Sequence, residues 1–366
     1  MKILAVTGKS GGHIFPALSF LQDVISRYPE AETGIVVPAL SVANPVLFRG
    51  ISRCFYLPCV SIPKRLSFGS IVAVIKFFWS FFDSLRIMYT FKPDCVAGFG
   101  SISSVPVVVA ARICGVKNII LHEQNVIPGR STRFLLVFAD ACAVSFENSR
   151  AYFNPGALRK VFLTGNMLRK SLVAVEKNEA IRYFGLQPDI FTIVVMGGSQ
   201  GSRTINTVFS RDICSLRTSV PFQVIHITGK NDFEGIKKQY EGACFSSRVF
   251  DFFEAMHYVY SAADIVVSRG GATTISELIF YRIPAIIIPY PFAYNHQEAN
   301  ACVLKEKECA VVLSDTCAES GMLRDTVEGM LNTPGKIKEM KENYNAFIQR
   351  DAHSLFMDLV TGLHTR

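Results

Sequence analysis

The sequence predicts an α/β fold made of two parallel-sheet domains. Three observations carry that reading. A strand, a glycine-rich turn and an amphipathic helix follow one another at the N-terminus. The same unit recurs in the second half of the chain. A length of 366 residues suits two domains of roughly 150–200 residues, each large enough to bury its own core. Residues 2–7 (Lys-Ile-Leu-Ala-Val-Thr) read as a buried strand and Gly8–Gly12 as the turn. Leu18, Leu21, Val24 and Ile25 then recur at helical spacing. Pro16 suits a first helical turn, where a missing N–H is harmless. In the second half, Ile193–Met196 reads as the strand, Gly197–Gly201 as the turn, and the helix runs from Thr204 onward. Arg169–Asp189 is charged and lacks a strand signal, so the domain junction is expected near its start. Sheets of this kind bind ligands beyond the carboxyl ends of their strands, and both turns are expected to face one cleft.

The most informative stretch is Ser268–Glu277, Ser-Arg-Gly-Gly-Ala-Thr-Thr-Ile-Ser-Glu. The apolar run Ala263–Val267 leads in as a strand, Gly270 and Gly271 turn the chain, and a helix starts at about Thr273. Such a junction presents free backbone N–H groups and the positive end of a helix dipole, which suits a phosphate. Glu277 is expected on the first turn, where a carboxylate can accept from ribose hydroxyls. Thr274–Glu277 also has the spacing of a capping box, so Glu277 can equally satisfy backbone donors alone. A second apolar run, Ala285–Pro289, leads to the polar stretch Asn295–Asn300. Together these read as a nucleotide-sugar clamp.

Bulk properties narrow the partners. There are 38 basic and 30 acidic residues, a net charge of +8. That excess favours anionic partners such as phosphates or an anionic leaflet, and the charges are too scattered to suggest nucleic acid. None of the ten cysteines forms a CxxC pair, and no zinc-site spacing results. They are expected to be small buried hydrophobes in a reducing compartment. The few apolar residues before Gly8 are too short for a signal-peptide core, so a cytoplasmic location is expected.

Gly8-Lys9-Ser10 invites a P-loop reading, but the position needing the leading glycine holds Ile3. The GxGxxG pattern is absent from both turns. What remains is a loop where Gly11 and Gly12 let backbone approach a ligand. His13 follows at the mouth of the helix, whose dipole disfavours imidazolium; it reads either as a neutral base or as a capping or core histidine. His122-Glu123-Gln124-Asn125 closes another apolar run and is weak evidence by itself. The chain contains no Asp-x-Asp motif. A sugar transferase of this type is expected to stabilise its departing diphosphate with helix N-termini in place of Mg²⁺.

Taken in order, Ser10–Ala17, His122–Asn125, Gly165-Asn166-x-x-Arg169, Gly197–Gly201, Gly271–Glu277 and His296-Gln297-x-x-Asn300-Ala301 resemble the MurG family of bacterial peptidoglycan transferases, within glycosyltransferase family 28. The resemblance spans about residues 2–345. It implies a GT-B fold, two Rossmann-like parallel-sheet domains facing a central cleft. The expected division is an acceptor- and membrane-facing domain over 1–165, a UDP-sugar domain over 166–345, and a C-terminal helix over 346–366 packing back on the first. The implied activity is inverting transfer of N-acetylglucosamine from UDP-N-acetylglucosamine to the C4 hydroxyl of lipid I, giving lipid II, with no tightly bound cofactor.

Residue by residue, the resemblance makes His13 the candidate general base. Ser10, Gly11 and Gly12 line the donor diphosphate and sugar, and Asn125 touches the donor sugar or holds the base. Arg169 and Ser199 approach the diphosphate, and Phe253 takes a position whose backbone contacts uracil. Ala272, Thr273, Thr274, Ile275 and Ser276 contact the diphosphate, Glu277 the ribose, and His296 and Gln297 the sugar hydroxyls. Gly98, Gly100, Ser101 and Ser104 form the loop expected to meet the acceptor diphosphate. This loop departs from the family pattern in Ser101 and Ile102, where the family has glycine and tyrosine, and Lys9 replaces a glycine of the first turn.

The stretch Ile71–Tyr89 is rich in aromatics and interrupted by Lys76, Asp83 and Arg86, so it does not read as a span. It reads as a core helix, or as one whose outer face, through Ile75, Phe78, Trp79 and Phe82, docks on an anionic membrane with help from Lys64, Arg65, Lys76 and Arg86. The resemblance favours docking, at the cytoplasmic face of the plasma membrane, and leaves room for a wall-synthesis protein complex. Three rivals stay open: a related transferase acting on another glycolipid, a UDP-N-acetylglucosamine epimerase, and a catalytically silent UDP-sugar binder. An epimerase needs acidic groups at the reacting sugar and has no use for the aromatic stretch.

Overall fold

The computed structural model describes residues 1–39, 48–58, 68–198, 200–292, 295–348 and 350–362. The chain folds as two compact units, Met1–Arg169 with Arg350–Arg366, and Lys170–Gln349.

In the first unit, seven strands form one sheet: β1 (Lys2–Val6), β2 (Glu32–Pro38), β3 (Arg53–Leu57), β4 (Cys95–Gly98), β5 (Asn118–Glu123), β6 (Ala141–Val144) and β7 (Val161–Leu163). Their order is β3-β2-β1-β4-β5-β6-β7, and every pairing among the described residues is parallel, with Ala5 opposite Ile35 on β2 and Ala97 on β4. Helices α1 (Gly11–Arg27), α2 (Phe68–Phe91), α3 (Ser104–Ile113) and α4 (Arg130–Leu135) connect them. A parallel sheet is covered on both faces, which is why its strands read as unbroken apolar runs. Ile3 and Ala5 pack with α1 side chains Phe20, Leu21 and Val24 on one face. Leu4 and Val6 pack with Ile87, Met88 and Phe91 of α2 on the other.

The second unit repeats the plan with β8 (Phe191–Met196), β9 (Phe222–Ile227), β10 (Ser246–Phe250), β11 (Ile265–Ser268), β12 (Ala285–Ile287) and β13 (Ala310–Val312), ordered β10-β9-β8-β11-β12-β13. Its helices are α5 (Lys177–Tyr183), α6 (Arg203–Ile213), α7 (Phe233–Gln239), α8 (Met256–Ala262), α9 (Ala272–Tyr281), α10 (His296–Lys305), α11 (Asp315–Cys317), α12 (Leu323–Asn332) and α13 (Pro334–Asn343). The last helix, α14 (Ala352–Thr361), returns to the first unit and places Phe356, Met357 and Val360 in the core with Phe20 and Phe99. Each sheet has a strand from which the order runs both ways, so each has a crevice at its carboxyl edge, between β1 and β4 and between β8 and β11.

Several local expectations are corrected. Helix α1 begins at Gly11, so Pro16 is its sixth residue and not in the first turn. It therefore removes the N–H that would bond Gly12 O; Gly12 is exposed, so that carbonyl can meet water. Helix α9 begins at Ala272, which puts Glu277 in the second turn. Gly271 is its N-cap, with no side-chain cap, so the capping box does not form. The nine described cysteines are free, but Cys114, Cys214 and Cys244 are exposed. Two of these occupy C-cap positions, Cys114 after α3 and Cys214 after α6, where the chain leaves the core; Cys59 lies outside the described residues.

Helix α2 has two apolar faces. Phe77, Phe81, Leu85, Met88 and Phe91 pack inward. Ile71, Val74, Ile75, Phe78, Trp79 and Phe82 form a second stripe at helical spacing, half-exposed or more, with Trp79 at 64 %. Among the described residues, no helix is long and apolar enough to cross a membrane. Lys64 and Arg65 lie outside the described residues.

Candidate functional site

In the first unit, the crevice is built where the chain leaves β1 and β4. After β1 it enters the Gly8–Ser10 turn, and Ser10 caps α1 with extended backbone. His13 is the third residue of α1, its N–H donating to Ser10 O at 3.0 Å. Ser10 Oγ lies 3.0 Å from His13 Nδ1, which fixes one edge of the ring. After β4, Gly98 leads to Gly100 and Ser101, both with positive φ (80° and 74°). A Cβ on Gly100 would stand 3.2 Å from His13 Cδ2, and one on Gly8 would stand 2.6 Å from Ser101 Cβ. Thus the expected base and the expected acceptor loop sit together, at a spacing that only glycine permits. Ser104 Oγ donates to Gly100 O at 2.5 Å and holds the turn from below.

The end of β5 is a closed polar network. Glu123 is buried and saturated: Oε1 accepts from Asn125 N (3.0 Å) and Nδ2 (3.2 Å), and Oε2 from Gly129 N (2.9 Å) and Thr132 Oγ1 (2.6 Å). Its task is to fix Asn125. His122 is enclosed, and burial lowers its pKa to about 4, against the opposing effect of Gly165 O. Arg169 lies with its guanidinium 4.9 Å from the Phe15 ring on α1.

In the second unit, the loops after β8 and β11 are joined by a residue the sequence reading passed over. Arg269 is buried; its Nε donates to Ser202 Oγ (3.0 Å), its Nη1 to Ile288 O (3.0 Å), and it pairs with Asp315 at 2.5 Å. Ser202 is itself the N-cap of α6, accepting from Ile205 N. Its partners Ser202, Ile288 and Asp315 lie far along the chain, so nothing local in sequence marks its role. Ser199 lies outside the described residues.

The start of α9 sorts its candidates. Ile275 N–H donates to Gly271 O and Ser276 Oγ to Ala272 O, so those two groups are already engaged. The N–H groups of Ala272, Thr273 and Thr274 precede the first intrahelical bond. Thr273 Oγ1 is buried without a hydrogen-bond partner. An orphan hydroxyl beside orphan N–H groups at a helix N-terminus is a ready anion site. Glu277 is buried on the same helix, and Tyr260 Oη donates to its Oε2 at 2.6 Å. That tyrosine, on α8, was also missed; nothing local in sequence links it to Glu277.

His296 and Gln297 open α10 behind Asn295, which holds a left-handed φ of 58°. Gln297 Oε1 accepts from Tyr290 N at 2.9 Å, and buried Asn300 donates to Gly270 O at 3.1 Å. A Cβ on Gly270 would fall 2.3 Å from Gln297 O, so α10 approaches the β11 turn as closely as backbone allows. Phe253 has its ring in a cluster with Phe250 (4.8 Å) and Phe184 (5.3 Å). Among the described residues, no group of three or more His, Cys, Asp or Glu is placed to hold a metal ion.

Two parallel sheets, each with glycine-rich turns and a helix N-terminus at its crevice, define the class: an α/β protein of the GT-B type. Residues 3–144 match the glycosyltransferase family 28 N-terminal domain, and residues 192–356 its C-terminal domain. The chain belongs to glycosyltransferase family 28. A relative from Caldanaerobacter subterraneus subsp. tengcongensis is 32 % identical over 98 % of this chain and 99 % of its own. One from Bacillus subtilis strain 168 is 31 % identical over 96 % of each. Both are named UDP-N-acetylglucosamine–N-acetylmuramyl-(pentapeptide) pyrophosphoryl-undecaprenol N-acetylglucosamine transferase. Among solved structures, Acinetobacter baumannii MurG superposes with a TM-score of 0.76 at 23 % identity, covering 99 % of both chains. The Staphylococcus aureus MnaA–UDP structure superposes at 0.71 and 12 % identity, covering 100 % of this chain and 97 % of that one. These two likenesses speak to fold alone.

Proposed function

We propose that the chain transfers N-acetylglucosamine from UDP-N-acetylglucosamine to the muramyl sugar of lipid I, giving lipid II for peptidoglycan. The observation that carries this reading is 32 % identity across 98 % of the chain to a transferase of that name. The fold alone does not choose, because a UDP-N-acetylglucosamine 2-epimerase from Neisseria meningitidis superposes at a TM-score of 0.69 with 16 % identity.

In this reading the second unit holds the nucleotide. The diphosphate takes the N–H groups of Ala272–Thr274 and the Thr273 hydroxyl, where the helix dipole favours negative charge. Glu277, oriented by Tyr260, accepts from the ribose, Phe253 backbone meets uracil, and His296 and Gln297 read the sugar. Ser199 and Arg169 add to the diphosphate contacts. In the first unit, Ser10, Gly11 and Gly12 approach the donor, Asn125 touches its sugar, and the Gly98–Ser104 loop meets the acceptor. His13 takes the proton of the attacking C4 hydroxyl. With Nδ1–H donating to Ser10 Oγ, Nε2 is the nitrogen that accepts it. The hydroxyl oxygen bonds to the anomeric carbon as the carbon–oxygen bond to UDP breaks, and charge leaves on the diphosphate.

The acceptor is carried on a lipid, and the outer stripe of α2 supports docking at the cytoplasmic leaflet. Phe78 and Trp79 are suited to bury in the acyl boundary, with Lys76 and Arg86 at the headgroups. The test of function is direct. Lipid I with radiolabelled UDP-N-acetylglucosamine should yield a labelled lipid-linked disaccharide, and UDP-glucose should not. Donor binding without transfer, or epimerised donor, would overturn the reading.

A further inference from the structure

Gln124 is a buried carboxamide whose orientation can be deduced. His122 Nε2 lies 3.2 Å from Gly165 O, which only accepts, so that nitrogen carries the ring hydrogen. The ring is neutral, so Nδ1 holds a lone pair and needs a donor. Gln124 Nε2 supplies it at 2.9 Å, and gives its other hydrogen to His122 O at 3.2 Å. The two contacts fix the amide against a flip and turn Oε1 the other way. That oxygen has no hydrogen-bond partner, although Gln124 is only 2 % exposed. It faces the acceptor turn: a Cβ on Gly100 would stand 3.7 Å from Gln124 Oε1 and 3.3 Å from His13 Nε2. One glycine therefore separates the expected base from a buried, fixed acceptor.

A buried acceptor left unsatisfied is unfavourable, and its cost is relieved when a donor arrives. We infer that Gln124 Oε1 receives a hydroxyl or acetamide N–H of the sugar bound beside His13, and so positions that sugar for proton transfer. The inference rests on the transferase reading above. Both substrates carry such donors, and separate KM values tell which one is held.

Wild-type turnover, measured first, tests the transferase reading; with it in hand, substitutions test Gln124 alone. Gln124→Met keeps the length and removes the oxygen. It should raise KM for either UDP-N-acetylglucosamine or lipid I about tenfold or more, with UDP affinity unchanged. Both KM values within about twofold of wild type would overturn the inference, whatever happens to Tm. Gln124→Glu covers the case in which the methionine variant does not fold. A buried carboxyl beside the His122 lone pair is held protonated, donates to Nδ1 and offers its carbonyl oxygen. KM should then be near wild type at low pH and rise as that carboxyl ionises; a KM as poor as that of Gln124→Met at every pH would overturn it.

Discussion

At Gly100 the backbone turns through a φ of 80° with the His13 ring against its Cα, and Glu277 makes a comparable demand in the other unit. Glu277 is buried, and the hydrogen bond from Tyr260 Oη to its Oε2 holds the carboxylate in place. Glu277→Ala should weaken UDP-N-acetylglucosamine binding by about 1–3 kcal/mol, the scale of a lost buried charged hydrogen bond, read by calorimetry. An unchanged affinity would remove Glu277 from the ribose. His13 and the 272–277 run were legible in sequence, because glycine pairs and polar residues at strand ends are local signals; the Gly100 turn was singled out only through the family resemblance. Arg269, Tyr260 and the orientation of Gln124 were not. Their importance lies in partners such as Asp315 and Glu277, distant along the chain, which no spacing rule connects.

The elements carry two further expectations. Helix α10 lies so close to the β11 turn that Gly270→Ala would drive a Cβ into Gln297 O. The backbone must shift, which should cost about 1–3 kcal/mol of stability and displace His296 and Gln297. Donor KM should rise with it; an unaltered KM and Tm would show that α10 has slack. On α2, replacing Phe78 and Trp79 together with serine should lower binding to anionic liposomes about tenfold or more while leaving the inner face packed. Retained binding would place the membrane contact elsewhere. Sequence patterning found α1 and α2 but blurred their ends, and it read the start of α10 only as a polar stretch. Pro16 suggested a start for α1, yet tertiary packing carries the helix back to Gly11 despite the lost bond. The apolar wealth of α2 left a core helix and an outward-facing stripe both open, since both faces use the same residue types; the structure exposes Ile75, Phe78, Trp79 and Phe82, the residues expected on the outer face.

Over the whole molecule, each unit buries one neutral histidine in its sheet. Burial lowers His122 to about 4 and His226 to about 3, from 6.5. His226 is bracketed by Tyr240 Oη (3.0 Å) and Asn206 Oδ1 (3.1 Å), so protonation would break a satisfied network. The unfolded chain takes up protons as pH falls below 6.5, while the folded rings resist until about 4 and about 3. Stability is therefore full above that range and lost on acidification, by roughly 3–5 kcal/mol per ring at full extent. Urea midpoints should fall between pH 7 and pH 4.5 and stay level from pH 7 to 8. A midpoint that holds or rises in acid would contradict this. The repeated parallel α/β plan was legible from the recurring strand–turn–helix units, but the strand order was not. The return of α14 to the first unit's core was expected from the family resemblance and not from its own residues, because an amphipathic helix does not announce which core it covers.

In the proposed reaction, donor binding and proton removal fall to different residues. One preparation of His13→Ala, assayed for both, tests it most directly. The expected result is kcat lower by roughly 10²–10⁴-fold with UDP-N-acetylglucosamine affinity within about twofold of wild type. A near-normal kcat, or a loss confined to donor affinity, would contradict it.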